Sequence, residues 1–557
     1  MIRNLLVTAW FCLAACGGRI DDPGQRGFDL PVTVSTGAAG APAGAAPASA
    51  AGNGPVTLPA ATLRRLTLSQ YQNSLRDLLG VEADVSTLTA IPPLNGLRAV
   101  GASTVALPQR DLESFETLGE GVSAQVFSDA SARMKLTGCD ARESACAKQF
   151  IRSFGRRAFR RPLTADEQQR YDALLMHAIE LSADAWLGLR VVTSAFLQSP
   201  AFLYREELGQ PDPSDPSRRI LTPFELTARL SFFLWNTAPD DALLDAAESG
   251  TLATANGLTT QAKRLLAAPR AIEAAGELIS DYLGLDALDA LVKLPEAYPQ
   301  SSTTLPAAMK EETLRSVRAH LFERGDDFRD LFTSNKTFAN AELAKLYGVR
   351  APSPDSFAAV DLPANGPRAG LLMQASFLAI HAHPSRSSPT LRGKFIRENL
   401  LCQAIPPPPN NVDTSLPANT RDAMTARQRL TAHREDPSCA GCHTLMDPIG
   451  LALENFDGIG AFRERENNLT IDASGELDGK TFADARGLAA AIAADPNATS
   501  CFVRTLFRYA RGALEQASEA SRIAALDQAF GASGYRTTEL MLAIVKDPAF
   551  RQVGALP

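Results

Sequence analysis

Lysine and arginine never gather into a long run in this sequence, and 55 basic residues face 62 acidic ones, for a net charge of −7. That balance offers no electrostatic footprint for a phosphate backbone, so nucleic acid is not an expected partner. GxSxG, HExxH and P-loop patterns do not occur, which removes the hydrolase, zinc-protease and nucleotide sites that short motifs announce most directly. Alternating strand-like runs are few, and Asn-Gly or Asp-Gly turns rarely stand between them, so the fold is not expected to be built on sheets. At 557 residues the chain exceeds what one core can bury and calls for several modules.

The first residues carry an address. Arg3 is followed by the apolar stretch LLVTAWFCLAAC, too short for a permanent bilayer span and suited to a signal peptide. It ends at Cys16 and Gly17 in a pattern like a bacterial lipobox. That predicts removal of residues 1–15, acylation of the Cys16 thiol, and export to the periplasm or outer surface with a membrane anchor. The alternative is an ordinary signal peptide that happens to contain a cysteine. Residues 38–54, AAGAPAGAAPASAAGNG, bury too little apolar surface to order and read as a tether.

Export permits disulfides. Of the eight cysteines, Cys12 leaves with the signal peptide and Cys16 is the anchor. If Cys439 and Cys442 are taken by a cofactor, the other four form an even set. Cys139 and Cys146 are the local pair, and Cys402 with Cys501 follows by elimination.

Past Leu58 the pattern is helical. In LTLSQYQNSLRDLLG, residues Leu68, Tyr71, Leu75, Leu78 and Leu79 share one face, Thr67 and Gln70 form a capping box, and Gly80 supplies the stop. Thr164 with Glu167, and Thr222 with Pro223 and Glu225, repeat that start. Amphipathic runs follow at 258–284, 304–324, 370–380, 388–402, 420–433, 485–511 and 517–546, and a short hairpin is expected within 464–483. The expected fold is mainly α, multi-module, with little β. Breaks at 208–218 and 348–357 help to delimit modules at 58–136, 137–210, 218–350, 365–465 and 476–552, after the signal peptide (1–15) and the anchor and tether (16–57). A third break, 403–417, holds Pro406 to Pro409 and is expected to run as a stiff extended strap.

The chemistry concentrates in CAGCH, Cys439 to His443. Covalent haem c needs two thiols spaced to meet two vinyl groups and an imidazole immediately after them to ligate the iron. A redox dithiol or disulfide is a second reading, without the βαβ pattern of a thioredoxin-like module. A zinc site is a third, without a second Cys/His pair nearby. For the opposite face of a haem iron the candidates are His433, His381 and His383, with Met373 and Met424. Met446, three residues past His443, lies on the same side of its turn and cannot easily cross the ring. A distal face with no protein ligand would admit peroxide or oxygen instead. Arg386, Arg392, Arg397 and Arg463 suit the propionates, unless they pair with local carboxylates. Asp447, Glu454 and Asp457 follow the motif. Glu454 and Asp457, three apart, are expected to share a helix face and serve caps and salt bridges to Arg463 rather than acid–base catalysis.

The ordered segments RRLTLSQYQNSLRDLLG, CAKQFIRSFGRRAFRRPLTADE, ELTARLSFFLWNTAPDDALL, SSPTLRGKFIRENLLCQAIPPPP, CAGCHTLMDPIGLALENFDGIGAFR and SCFVRTLFRYARGAL together resemble one known arrangement. It is the exported multidomain family built from consecutive domains of unknown function, the fifteen-eighty-five to fifteen-ninety-five series, found in planctomycetes and myxobacteria. The resemblance runs from about Thr62 to Phe550. It implies export, a cytochrome c-like CxxCH and frequent neighbours in surface polymer breakdown, with no settled activity. Many relatives carry a further N-terminal cytochrome-like module without a counterpart here, which argues against a multi-haem relay within the chain. The expected function is electron transfer by a lipid-anchored haem c protein with a redox partner protein. The alternatives are a haem-dependent peroxidase or oxidase acting on an extracellular compound, and a haem-free surface binding or scaffold protein.

Overall fold

The three threonines expected to start helices do so. Thr67, Thr164 and Thr222 each accept from the backbone N–H three residues on, and Gln70, Glu167 and Glu225 reach back to the cap's own N–H. These contacts come from a computed structural model describing residues 57–351, 356–406, 424–434 and 437–556, with only the backbone described at 432–434, 437 and 438. The signal peptide, Cys16, the tether, Pro407 to Pro409 and the side chain of His433 lie outside the described residues. Helix accounts for 59% and strand for 9%, the strands forming only two- and three-stranded antiparallel sheets, so the protein is mainly α. No helix among the described residues is long and apolar enough to cross a membrane.

Prolines divide runs that periodicity alone joins. The 258–284 run is two helices, Ala255–Ala267 and Pro269–Leu283, and the 485–511 run is Ala485–Ala493 and Pro496–Arg511. In each case proline sits at the first turn of the second helix, where its missing N–H costs nothing. The break at 208–218 is not loose: strands Gln210–Asp212 and Asp215–Ile220 pair with each other, and Gln552–Gly554 joins the second of them. The region 464–483 holds two short hairpins, Arg465–Glu466 with Leu469–Thr470 and Gly475–Leu477 with Lys480–Phe482.

Two hydrophobic cores share a wall. The first is built from Leu66 to Leu203, and the second gathers most of the chain from Leu226 to Phe550. Helix Pro223–Leu234 is buried almost all round because it serves both: Ala228 and Phe232 face the first core, and Leu226, Leu230 and Phe233 the second. An ionic cluster sits beside this wall. Glu207 pairs with Arg64 at 2.6 Å and with Arg229, and Arg229 also donates to the Phe550 carbonyl at 2.9 Å.

Two disulfides brace the cores. Cys139–Cys146 closes a local turn with its Cα atoms 5.9 Å apart, and Cys402–Cys501 joins positions 99 residues apart with Cα atoms at 5.3 Å. A cross-link that closes the longer loop removes more unfolded-state freedom. Cys402→Ser with Cys501→Ser should therefore lower stability by ~2–4 kcal/mol, more than Cys139→Ser with Cys146→Ser. Denaturant melts of the two double variants, run side by side, test that ranking.

Candidate functional site

CAGCH lies on helix Pro437–Leu451. Spacings of three and four put Cys439, Cys442 and His443 on neighbouring positions of one helix surface. Neither cysteine belongs to a disulfide, and both are partly exposed. The Cys442 thiol donates to the Pro406 carbonyl at 3.4 Å, so Pro406 lies against the motif.

His443 is anchored from behind. Its Nδ1 lies 3.0 Å from Asp447 Oδ2, and Thr390 Oγ1 donates to Asp447 Oδ1 at 2.8 Å. A carboxylate only accepts, so Nδ1 carries the proton and the lone pair falls on Nε2. Asp447 is fully buried, which fixes the orientation of the ring. This relay is legible as the i, i+4 spacing of His443 and Asp447. Thr390 carries no such signal.

Thr390 reaches Asp447 because two helices touch backbone to backbone. A Cβ on Gly450 would stand 1.8 Å from the Pro389 carbonyl oxygen, and one on Gly393 would stand 1.9 Å from that of Met446. Helix Pro389–Phe395 therefore runs antiparallel against the C-terminal half of the CAGCH helix. In the N-terminal half, nothing among the described residues lies within 4 Å of a Cβ placed on Gly441.

The arginines are mostly engaged elsewhere. Arg392 is fully buried and donates to the Leu453, Phe456 and Asp457 carbonyls at 2.8, 2.9 and 2.7 Å, with Glu454 at 3.3 Å. It thereby ties together the carbonyls of the turns that follow the helix. Arg397 donates to the Leu445 carbonyl at 3.1 Å and pairs with Asp478 at 2.7 Å. Arg463 pairs with Glu454 at 3.0 Å. These three act as structural cations, the alternative to propionate partners. Arg386 is the member of the set with no side-chain partner recorded among the described residues. The helix ends at Leu451, so Glu454 and Asp457 do not share a helix face as expected. Turns continue the chain there and Glu454 is drawn inward. Burial pushes its carboxyl up, against Arg392 and Arg463.

His381 stacks against Phe395 and Phe377, with ring centroids at 4.4 and 4.9 Å. Its Nε2 is buried with no hydrogen bond among the described residues. Burial, aided by Arg392, brings its pKa down to about 3, so the ring stays neutral. His383 is pushed down by burial, Arg386 and Lys293. No described interaction joins either ring to His443. Met373 is fully buried, and its sulfur accepts from the Ala369 N–H at 3.4 Å. The Met424 carbonyl accepts from Asn467 at 3.0 Å. Met446 is buried along the docked half of the helix.

No cluster of three or more His, Cys, Asp or Glu suited to a bare metal ion occurs among the described residues. The donor set of two thiols one turn apart and a carboxylate-anchored imidazole fits covalent haem. A cavity of about 510 Å³ opens beside the strap, bordered by Ala404, Cys402, Asn399, Tyr282, Arg504 and Arg508.

Five family models, each described as a protein of unknown function, match in succession: DUF1587 at 64–128, DUF1595 at 146–207, DUF1592 at 221–349, DUF1588 (PSCyt3) at 368–466 and DUF1585 at 478–550. The CAGCH helix falls within the DUF1588 match. No curated protein and no solved structure matches the chain.

Proposed function

Because the chain belongs to the multidomain family assembled from these five domains of unknown function, we propose its function from the site itself: a haem c protein of electron transfer. Cys439 and Cys442 hold the haem covalently, and His443 Nε2 ligates its iron. When bound, the haem supplies one-electron chemistry. The observation that carries this reading is the relay from His443 through buried Asp447 to Thr390. Asp447 holds the Nδ1 proton and makes the ring a stronger ligand. Export on a lipid-anchored Cys16, with delivery of electrons to or from a redox partner protein, belongs to the same proposal.

The protein made in a strain with c-type maturation should stain for haem on a denaturing gel and give a c-type pyridine haemochrome. No covalent haem under those conditions sinks the proposal. Asp447→Asn should keep the covalent haem but raise its midpoint potential, because a weaker donor stabilises the oxidised iron less. Outer-sphere partners of a metal ligand are worth ~10–100-fold, and a tenfold change in the ratio of oxidised to reduced stabilisation is ~59 mV for one electron, so the rise has an upper bound on the order of 60–120 mV, reached when the loss falls wholly on the oxidised iron. Spectroelectrochemical titration measures it.

The second reading, a haem-dependent peroxidase or oxidase, draws on the cavity beside the strap. Ala404 borders it, and Pro406, two residues on, meets Cys442. A high-spin ferric spectrum that shifts with cyanide or peroxide favours that enzyme, and a low-spin six-coordinate spectrum favours electron transfer.

A further inference from the structure

A second cleft, of about 320 Å³, lies away from the CAGCH helix, where the first helix of the fold meets the central region. Three helices each give it one stripe at helical spacing: Ser69, Asn73 and Arg76 from Leu68–Leu79; Arg270, Glu273 and Glu277 from Pro269–Leu283; Lys310, Leu314 and Arg318 from Leu305–Arg318. Arg98 and Asp286 complete the charged lining, in which cations outnumber acids five to three although the chain as a whole is acidic.

Four of those five cations are matched. Arg98 pairs with Glu277 at 3.1 Å and Asp281 at 2.8 Å, Lys310 with Asp286 at 3.0 Å and Asp289 at 2.8 Å, Arg270 with Asp77 at 2.9 Å, and Arg76 with Glu82 at 3.8 Å. Arg318 makes no ion pair and no hydrogen bond among the described residues, and its Nε is shut off from solvent. Its guanidinium lies tight on the backbone at Gly276, where a Cβ would stand 2.2 Å from Nη2. Glycine there makes room for a partly buried cation that none of the described residues neutralises. Such a cation costs free energy unless a counter-charge joins it.

A second unsatisfied group lines the same cleft. Asn236 is 3% exposed and held at a φ of +52°. Its Nδ2 donates to Ser69 Oγ at 3.0 Å, while Oδ1 is buried without a partner. Turning the amide presents the NH₂ group instead, and the Ser69 hydroxyl then shifts its donation from Glu277 to Oδ1. In one orientation Asn236 accepts a hydrogen bond from a ligand, and in the other it donates one.

We propose that this cleft binds a small oxyanion of the phosphate or sulfate kind, free or as the end group of a larger molecule. Arg318 is the principal ligand and Asn236 the second hydrogen-bonding partner. The planar fork of arginine matches two oxygens of a tetrahedral anion, and Arg318 is the lining cation left without a counter-charge among the described residues. This site stands independently of the haem reading.

The test uses the full chain, with sodium phosphate and sodium sulfate as probes at ionic strength held constant with sodium chloride. Calorimetry and thermal melts should show saturable binding and stabilisation by at least one of the two anions. Arg318→Gln should weaken it on the order of 10–100-fold, the worth of a charged hydrogen bond, and Arg318→Lys, which keeps the charge but loses the fork, by less. Melts of both variants without added anion establish that they are folded. Preference for phosphate supports the site with Asn236 Oδ1 receiving a P–OH proton, and equal or better binding of sulfate supports it with the NH₂ turned inward. No saturable response to either anion, or an unchanged response in Arg318→Gln, overturns the proposal.

Discussion

Replacing Glu207 by alanine should cost ~3–5 kcal/mol, the usual penalty for removing one partner of a buried ion pair, and leave much of the protein insoluble. Arg64, Arg205 and Arg229 are all buried around that one carboxylate. Burial alone would push the Glu207 carboxyl up, but Arg229, Arg64 and Arg205 outweigh it and hold it well below the usual glutamate range. Arg205, pulled down to about 10 by burial, depends on the same carboxylate for compensation. The sign of the pH dependence follows. A carboxyl with a depressed pKa in the fold contributes stability that is fully present above its ordinary value of 4.5 and is lost as the pH falls below it. Glu207→Gln should therefore be less stable at neutral pH and show a shallower loss on acidification. Denaturant melts across that range decide it, and a variant as stable as the wild type at neutral pH would contradict the account.

Gly450→Ala should act on the site rather than on the wall between the cores. The new methyl group would overlap the Pro389 carbonyl, whose oxygen lies 1.8 Å from the Cβ position. Both neighbours are backbone, so relief requires the helices to separate. Separation breaks the Thr390–Asp447 hydrogen bond and frees the orientation of His443. Overpacking of a core costs ~1–3 kcal/mol and more where nothing flexible can yield, so the melting temperature should fall together with the yield of covalent haem. Gly441→Ala is the control: it lies in the same helix with open space around it, and exchanging glycine for alanine in a helix favours the helix by ~0.8–1.0 kcal/mol. If the two variants behave alike, close backbone contact is not what holds the site.

Local rules carried the sequence reading as far as they reach. The capping boxes at Thr67, Thr164 and Thr222 and the spacing of Cys439, Cys442 and His443 are decided within a few residues, and they could be read directly. Pro269 and Pro496 begin new helices in register with the old ones, so a continuous apolar pattern concealed two breaks. The strands at 210–220 pair locally, but the second also takes Gln552–Gly554, a partner that no local pattern specifies. The same holds at the site. Asp447 lies four residues from His443, whereas Thr390 lies 57 residues before Asp447, and the closeness of Gly393 and Gly450 to backbone belongs to a pair of helices rather than to either alone. Arg392 was chemically suited to a propionate and is instead absorbed by carbonyls of the turns after the helix.

The late pairing of Gln552–Gly554 also orders events in time. Val553 completes a small apolar cluster with Ala61 and Leu221, the Gly554 N–H donates to the Pro59 carbonyl at 2.7 Å, and the Ala61 N–H donates to the Ala555 carbonyl at 3.1 Å. Residues 59–61 thus wait for residues 553–555, which are made much later. Contacts of such wide separation form slowly. Until they form, the strand Asp215–Ile220 presents an open edge to any passing chain. Deleting Gln552–Gly554 should leave that edge unpaired in the finished fold.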